Sequence, residues 1–214
     1  MGKLRFSITM SLDGFVAGPE QSVKNPLGVD GMRLHTWAFE LAAWRRMHGL
    51  EGGETNPSSQ VVEASLANVG AVVMGRNMFG GHPGPWGDGA WKGWWGEDPP
   101  FHAPVFVVTH HPRAPLAMQG GTTFTFVTAG IEAALELAVS AAAGRDVVLG
   151  GGASVVRQYL AAGLVDEVGV SLVPVLLGSG ERLFEGLGEA GLTLEQVRAI
   201  EAPGVTHLGY RVVK

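Results

Sequence analysis

The chain has 214 residues, 46% apolar and 16% charged, with a net charge of −5, 33 glycines, 12 prolines and no cysteine. That length can bury a substantial core without staples, no apolar run approaches the roughly 18–20 residues of a membrane span, and the absence of a basic excess or basic run excludes an extended nucleic-acid surface. The lack of cysteine excludes disulfides, thiol chemistry and cysteine-liganded zinc; one soluble domain over residues 1–214 is expected, cytoplasmic by default, because Lys3 and Arg5 lead into a strand pattern rather than a signal peptide's apolar core.

Residues 4–10 alternate as a strand with Leu4, Phe6, Ile8 and Met10 on one face. Asp13 and Gly14 follow as a turn signal, with Asp13 either capping that turn or standing as an acid at the mouth of a site. After a polar loop, apolar residues Leu34, Trp37, Ala38, Leu41 and Trp44 recur at helical steps and predict one helix over 31–47. His35, Glu40 and His48 lie off its apolar stripe and read as surface or edge residues. Asn56 before Pro57 reads as a cap and first-turn proline for a helix ending near residue 68. An apolar strand over 71–74 then meets Gly75, Arg76 and Asn77.

Residues 80–104 carry Trp86, Trp91, Trp94 and Trp95 among glycines and prolines, without helical or strand periodicity. A loop of that length is a functional or packed one. A buried-type strand over 104–109 ends in Thr109, His110 and His111; adjacent strand side chains point in opposite directions, so no metal is expected there. A strand over 122–127 leads to a helix over 130–143, with Thr128 as a candidate cap and Ile131, Leu135, Ala138 and Val139 as its apolar face. Strands over 168–173, 192–199 and 206–213 close the chain. Strands alternating with helices, then a run of late strands, predict an α/β sandwich with a mixed sheet and an antiparallel edge.

The most informative stretch is 146–160, where an apolar strand runs into Gly150, Gly151 and Gly152 and a helix begins at once with Ala153, Ser154 and Val155. Glycines let backbone N–H groups approach a ligand, and a helix N-terminus adds partial positive charge, so the turn suits a phosphate; it also suits a plain tight turn. Val155 stands where the third glycine of a dinucleotide fingerprint would fall, so a standard Rossmann domain is not expected.

The segments Ser11-Leu12-Asp13-Gly14-Phe15-Val16-Ala17, Val72-Val73-Met74-Gly75-Arg76, Val107-Val108-Thr109, Val148-Leu149-Gly150-Gly151-Gly152 and Pro174 through Phe184 occur in this order. Together they resemble the dihydrofolate-reductase-like family, in particular the branch containing the C-terminal reductase domain of the bifunctional riboflavin-biosynthesis deaminase-reductase. The resemblance implies a three-layer sandwich with a mostly parallel central sheet and an antiparallel C-terminal edge. It further implies an NADPH-dependent reductase acting on a small pyrimidine-, pterin- or imine- or carbonyl-type substrate.

In that resemblance Gly75, Arg76 and Asn77 match the turn at the cofactor's adenosine end, and Thr109 and His110 the strand end beside the 2′-phosphate. Gly150, Gly151, Gly152, Ala153, Ser154 and Val155 match the pyrophosphate turn. Asp13, as a catalytic candidate, with Gly14, Pro174, Gly178 and Gly180, matches the substrate side. The expected helix after the first loop begins Gly31-Met32-Arg33-Leu34-His35, without the acid that dihydrofolate reductases keep there, and no cysteine remains for a zinc deaminase. Dihydrofolate-reductase-type activity and a non-catalytic nucleotide-binding protein are the alternatives. The four tryptophans, Phe101, Leu176 and Leu177 exceed what one core needs and predict a homodimer.

Overall fold

The computed structural model describes residues 2–81, 83–87 and 90–214, which form two compact units. The first takes the residues through Arg5 and residues 68–159; the second takes residues 6–67 and 160–214.

In the first unit the Val-rich segments become buried strands: β3 (Val69–Gly75), β4 (Pro104–Val108), β6 (Thr123–Val127) and β7 (Asp146–Leu149), joined by the short β5 (Leu116–Ala117). With Leu4 and Arg5 of β1 (Leu4–Ser11), they run in the order β1-β7-β3-β4-β6-β5, parallel except for β5. Helix α3 (Arg76–Phe79) is a single turn, whereas α4 (Ile131–Ala142) packs on β3 and β4 and α5 (Ala153–Ala161) begins directly after the glycines. A core of Val72, Met74, Phe79, Val105, Val107, Phe124 and Phe126 fills the unit, and Phe79 and Phe124 are wholly enclosed. Each such ring contributes roughly 1.5–3 kcal/mol by leaving water. The start of β7 is tied down by Asp146, which accepts from the Lys3 N–H at 3.0 Å and from Arg5 Nε at 3.0 Å.

The Trp loop belongs to this core. Trp86, Trp91 and Trp95 pack against it, and the indole N–H groups of Trp86, Trp91 and Trp94 donate to the carbonyls of His111, Phe79 and Met78 at 2.8, 3.0 and 3.0 Å. A buried indole N–H left unpaired would cost about 1–3 kcal/mol, so these bonds decide where the loop can rest.

In the second unit β8 (Glu167–Val173), β10 (Thr193–Ala202), β11 (Val205–Val213) and the rest of β1 run in the order β10-β11-β8-β1, with β10/β11 and β11/β8 antiparallel. A two-stranded ribbon pairs β2 (Phe15–Ala17) with β9 (Glu181–Arg182). Helices α1 (Ala42–Met47) and α2 (Pro57–Leu66) complete it, α2 starting from a capping box in which Asn56 and Ser59 satisfy one another's backbone N–H. At the centre His207, 1% exposed, bridges Ser58 Oγ at 2.9 Å through Nε2 and Ser171 Oγ at 2.9 Å through Nδ1, with Trp37 edge-on at 5.0 Å. This ties α2 to β8 and β11.

Three expectations change. The helix predicted over 31–47 is two 3₁₀ turns, Gly31–Leu34 and Thr36–Ala38, followed by the short α1, because Asp30 supplies no side-chain cap and Leu41 is extended and bridges to Glu54. Thr128 does not cap α4: Gly130 is its N-cap without a side-chain bond, and the buried face is Ile131, Ala134, Ala138 and Ala142, leaving Val139 exposed. In β1 the alternation holds for Leu4 and Phe6 but then passes to Thr9 and Ser11, which are buried in place of Ile8 and Met10.

Burial, with the Arg198 charge adding to it, lowers the His207 pKa to about 4, so the folded state holds the ring neutral. Its contribution to stability is therefore complete above the unfolded value of about 6.5 and is lost as pH falls towards 4. Ring proton shifts followed by NMR should show His207 neutral down to about pH 5, and urea unfolding should lose roughly 3 kcal/mol from this group between those limits. A His207 midpoint near 6.5 would remove the burial argument.

Candidate functional site

In the first unit the two strand-end glycine turns meet. Gly150 N–H donates to the Val73 carbonyl at 2.8 Å and Gly75 N–H to the Gly151 carbonyl at 3.2 Å, so the ends of β3 and β7 are stitched together. The approach requires glycine: a Cβ on Gly75 would lie 2.8 Å from Val155 Cγ2, and one on Gly150 would lie 2.8 Å from Val72 Cγ1. Gly151 and Gly152 add φ values of +116° and +85°, which side-chain-bearing residues rarely adopt. Among the six residues of the expected pyrophosphate turn, Gly150, Gly151 and Gly152 are partly exposed and Ser154 is exposed, while Ala153 and Val155 are buried. Val155 therefore packs under Gly75 instead of facing outwards.

Arg76, opening α3, has its guanidinium carbon 3.4 Å from the centroid of the Trp86 ring and donates through Nη1 to the Gly80 carbonyl. Arg113 approaches the same indole at 4.9 Å. Burial first, and then the charge of Arg113, lower the Arg76 pKa, a direction that favours an anion close by. Asn77 is exposed beside it. Thr109, 5% exposed, accepts through Oγ1 from the His111 N–H at 3.2 Å, and His110 lies exposed at the same strand end. The chain thus gathers Gly75, Arg76 and the Gly150–Gly152 turn, with Thr109 and His110 at the end of the neighbouring strand β4.

In the second unit Asp13 is an acceptor hub. Its carboxylate takes the Ser11 hydroxyl at 2.6 Å, the Leu177 N–H at 3.1 Å and the Gly178 N–H at 2.7 Å. The Ser11 hydrogen bond is the leading cause that lowers its pKa to about 2, against a smaller opposing effect of burial and with the two backbone N–H groups adding to the fall. Around it the chain is zipped: Leu12 N–H donates to the Val175 carbonyl at 2.9 Å, Leu183 N–H to the Gly14 carbonyl at 3.2 Å, and Arg182 Nη1 to the Asp13 carbonyl at 3.2 Å. Gly180, at φ +128°, lies where a Cβ would meet the Ala17 carbonyl at 2.1 Å, and Pro174 and Gly178 are exposed along the same segment. Asp13, Gly14, Pro174, Gly178 and Gly180 are therefore brought to one place.

Sequence reading gave no site role to Ser11, Arg113 and Arg182, and placed Trp86 in the loop without its contact to Arg76. Ser11 stands two residues before Asp13, a spacing at which a hydroxyl and a carboxylate can bond locally, and was the recoverable one. Arg113 and Arg182, and the Arg76–Trp86 contact, act across many residues and leave no local signal.

A mixed α/β fold with this strand order and these glycine turns is that of dihydrofolate-reductase-like proteins, and structural comparison agrees. The chain superposes on dihydrofolate reductase from Enterococcus faecalis complexed with NADP(H) with a TM-score of 0.53 at 12% identity, covering 100% of this chain and 98% of that one. A putative riboflavin biosynthesis protein from Shewanella sp. PV-4 gives a TM-score of 0.65 at 21% identity, with 100% of both chains covered. For the diaminohydroxyphosphoribosylaminopyrimidine deaminase/5-amino-6-(5-phosphoribosylamino)uracil reductase of Thermotoga maritima the TM-score is 0.56 at 14% identity, over 99% of this chain and 57% of that one. No curated protein sequence matches the chain. The family model described as the RibD C-terminal domain matches residues 2–206, and the chain belongs to that family.

Asp13→Asn removes the charge and one of the two acceptor oxygens, so the amide can receive either the Leu177 and Gly178 N–H groups or the Ser11 hydroxyl but not both sets, and only through neutral bonds. Hydrogen exchange at those two amides is expected to speed up by on the order of tenfold in the variant, as for loss of one or two charge-assisted bonds. Unchanged protection would show that the carboxylate does not order this segment. In the wild type the same loosening should set in only as pH falls from 3.8 through about 2.

Proposed function

We propose that the whole chain works as one NADPH-dependent reductase domain, transferring a hydride to a small pyrimidine-, pterin- or imine- or carbonyl-type substrate. In kind it would be similar to the uracil reductase activity named for the Thermotoga maritima relative. The reading places it among soluble cytoplasmic enzymes, and among the described residues no helix is long and apolar enough to cross a membrane. The observation that carries it is the pair of stitched glycine turns in the first unit, in a chain of the RibD C-terminal domain family.

The residues present fit a dinucleotide phosphate. Gly150 N–H is spent on the Val73 carbonyl, so the N–H groups of Gly151 and Gly152, directly before α5, and the helix start are what favour a diphosphate. Arg76 offers a planar guanidinium for paired bonds to a 2′-phosphate, with Thr109 and His110 as further donors. When bound, the nicotinamide cofactor supplies the hydride. Asp13, ionised across the neutral range, does not give a proton; it holds the 174–180 segment in shape to orient the substrate. A homodimer is part of this reading: with Trp86, Trp91 and Trp95 used in the first unit's core, the apolar surface left over lies mainly in the second unit.

Calorimetric titration of NADPH and NADH into wild type and Arg76→Ala tests the assignment. Loss of one charged bond, about 1.5–3 kcal/mol, should weaken NADPH roughly ten- to a hundredfold and leave NADH nearly unchanged. Melting temperature serves as the control, because Arg76 also rests on Trp86. Equal losses for both cofactors would make Arg76 structural, a wild-type preference for NADH would overturn the cofactor, and NADPH binding without turnover of any such substrate would leave a nucleotide-binding protein.

A further inference from the structure

The chain that leaves α3 is shaped around the Arg76 side chain. Gly80 and Gly81 turn it back at φ values of +81° and +91°. A Cβ on Gly80 would run into the Trp94 indole, and one on Gly81 would lie 3.0 Å from the Trp91 ring and 3.3 Å from Arg76 Nη1. The turn offers the Gly80 carbonyl to Arg76 Nη1 and carries the loop on to Trp86, whose ring centroid lies 3.4 Å from the guanidinium carbon. That is a face-on stack at van der Waals contact.

The indole sets this geometry and the arginine follows it. Trp86 Nε1–H donates to the His111 carbonyl at 2.8 Å, and the ring meets Phe126 at 4.8 Å and Phe79 at 5.6 Å, both T-shaped. Phe79 and Phe126 belong to the buried core of the first unit, so the ring is already immobilised, whereas an arginine chain has many rotamers to lose. A guanidinium stacked by its face keeps its N–H donors in its own plane, where a phosphate can take two of them side by side. Arg113 reaches the same half-buried indole at 4.9 Å. Two cations gathered on one ring repel each other; the negative face of the ring offsets part of that repulsion, and a bound anion offsets more.

We propose that Trp86 is a positioning residue for cofactor choice: its ring, fixed by the core, holds the plane of the Arg76 guanidinium ready for the 2′-phosphate without touching that phosphate itself. This deepens the NADPH reading above and rests on it. The role needs an aromatic face at residue 86. Phenylalanine supplies the face without the bond to His111, and leucine supplies neither.

Calorimetric titration of NADPH and NADH into Trp86→Leu, Trp86→Phe and the double variant Trp86→Leu with Arg76→Ala tests the role. Loss of the stack in Trp86→Leu should weaken NADPH roughly three- to thirtyfold, as for removal of a cation–π contact, and leave NADH, which lacks the 2′-phosphate, nearly unchanged. The retained NADH affinity also reports that the variant is folded. Trp86→Phe should recover part of the loss. Because the ring acts through Arg76, the double variant should bind NADPH about as weakly as Arg76→Ala alone. Equal weakening of both cofactors, a Trp86→Phe as weak as Trp86→Leu, or losses that add in the double variant would overturn the positioning role and leave the cofactor assignment standing. A wild type without preference for NADPH would overturn the assignment and this role together.

Discussion

The candidate cofactor site depends on a main-chain contact that side chains would forbid. Gly75 and Gly151 share a backbone hydrogen bond at 3.2 Å, and Gly150 reaches Val73 at 2.8 Å, because the turns bring backbone where a Cβ would collide with Val155 or Val72. That contact aligns the ends of two parallel strands. It lets α5 begin immediately after Gly152, with Val155, Val156, Tyr159 and Leu160 turned inwards, and Tyr159 locks the helix by donating to the Ile131 carbonyl at 2.6 Å. Glycine is entropically expensive in a folded chain, and the cost here is offset by the strand and helix burial that the close approach permits.

Much of this was legible in the sequence because it depends on local periodicity. The buried faces of β3 and α5, the Asn56 cap and the two glycine turns follow from residue spacing, and the family resemblance on five ordered segments is confirmed by the family match over residues 2–206. The helix expected over 31–47 failed because spacing alone does not see the missing cap at Asp30 or the bridge from Leu41 to Glu54. The strands β2 and β9 were missed because each is three residues or fewer and exists only through pairing across more than 160 residues of chain. Partners at that distance leave no periodic trace.

Asp13 shows how environment sets the role of a carboxylate. A lone acid after a strand suggests acid–base work, yet Ser11 and two backbone N–H groups hold this one ionised, and all their hydrogen bonds point towards it. In this structure the carboxylate serves as an acceptor that shapes the 174–180 segment. His207 is the complementary case, a base kept neutral by burial between two hydroxyls that joins a helix to a sheet. In both, sequence identifies the group and the fold decides what protonation state it can use.

The tryptophan loop divides its anchoring unequally between side chains and main chain. In each of the three indole bonds the donor is a particular side chain, whereas the acceptor is a peptide carbonyl of Met78, Phe79 or His111, which every residue type would provide. Evolutionary drift at the acceptor positions leaves the bonds intact as long as the backbone path is kept, so constraint from these bonds concentrates on Trp86, Trp91 and Trp94. A long irregular loop can in this way hold its course while most of its letters change.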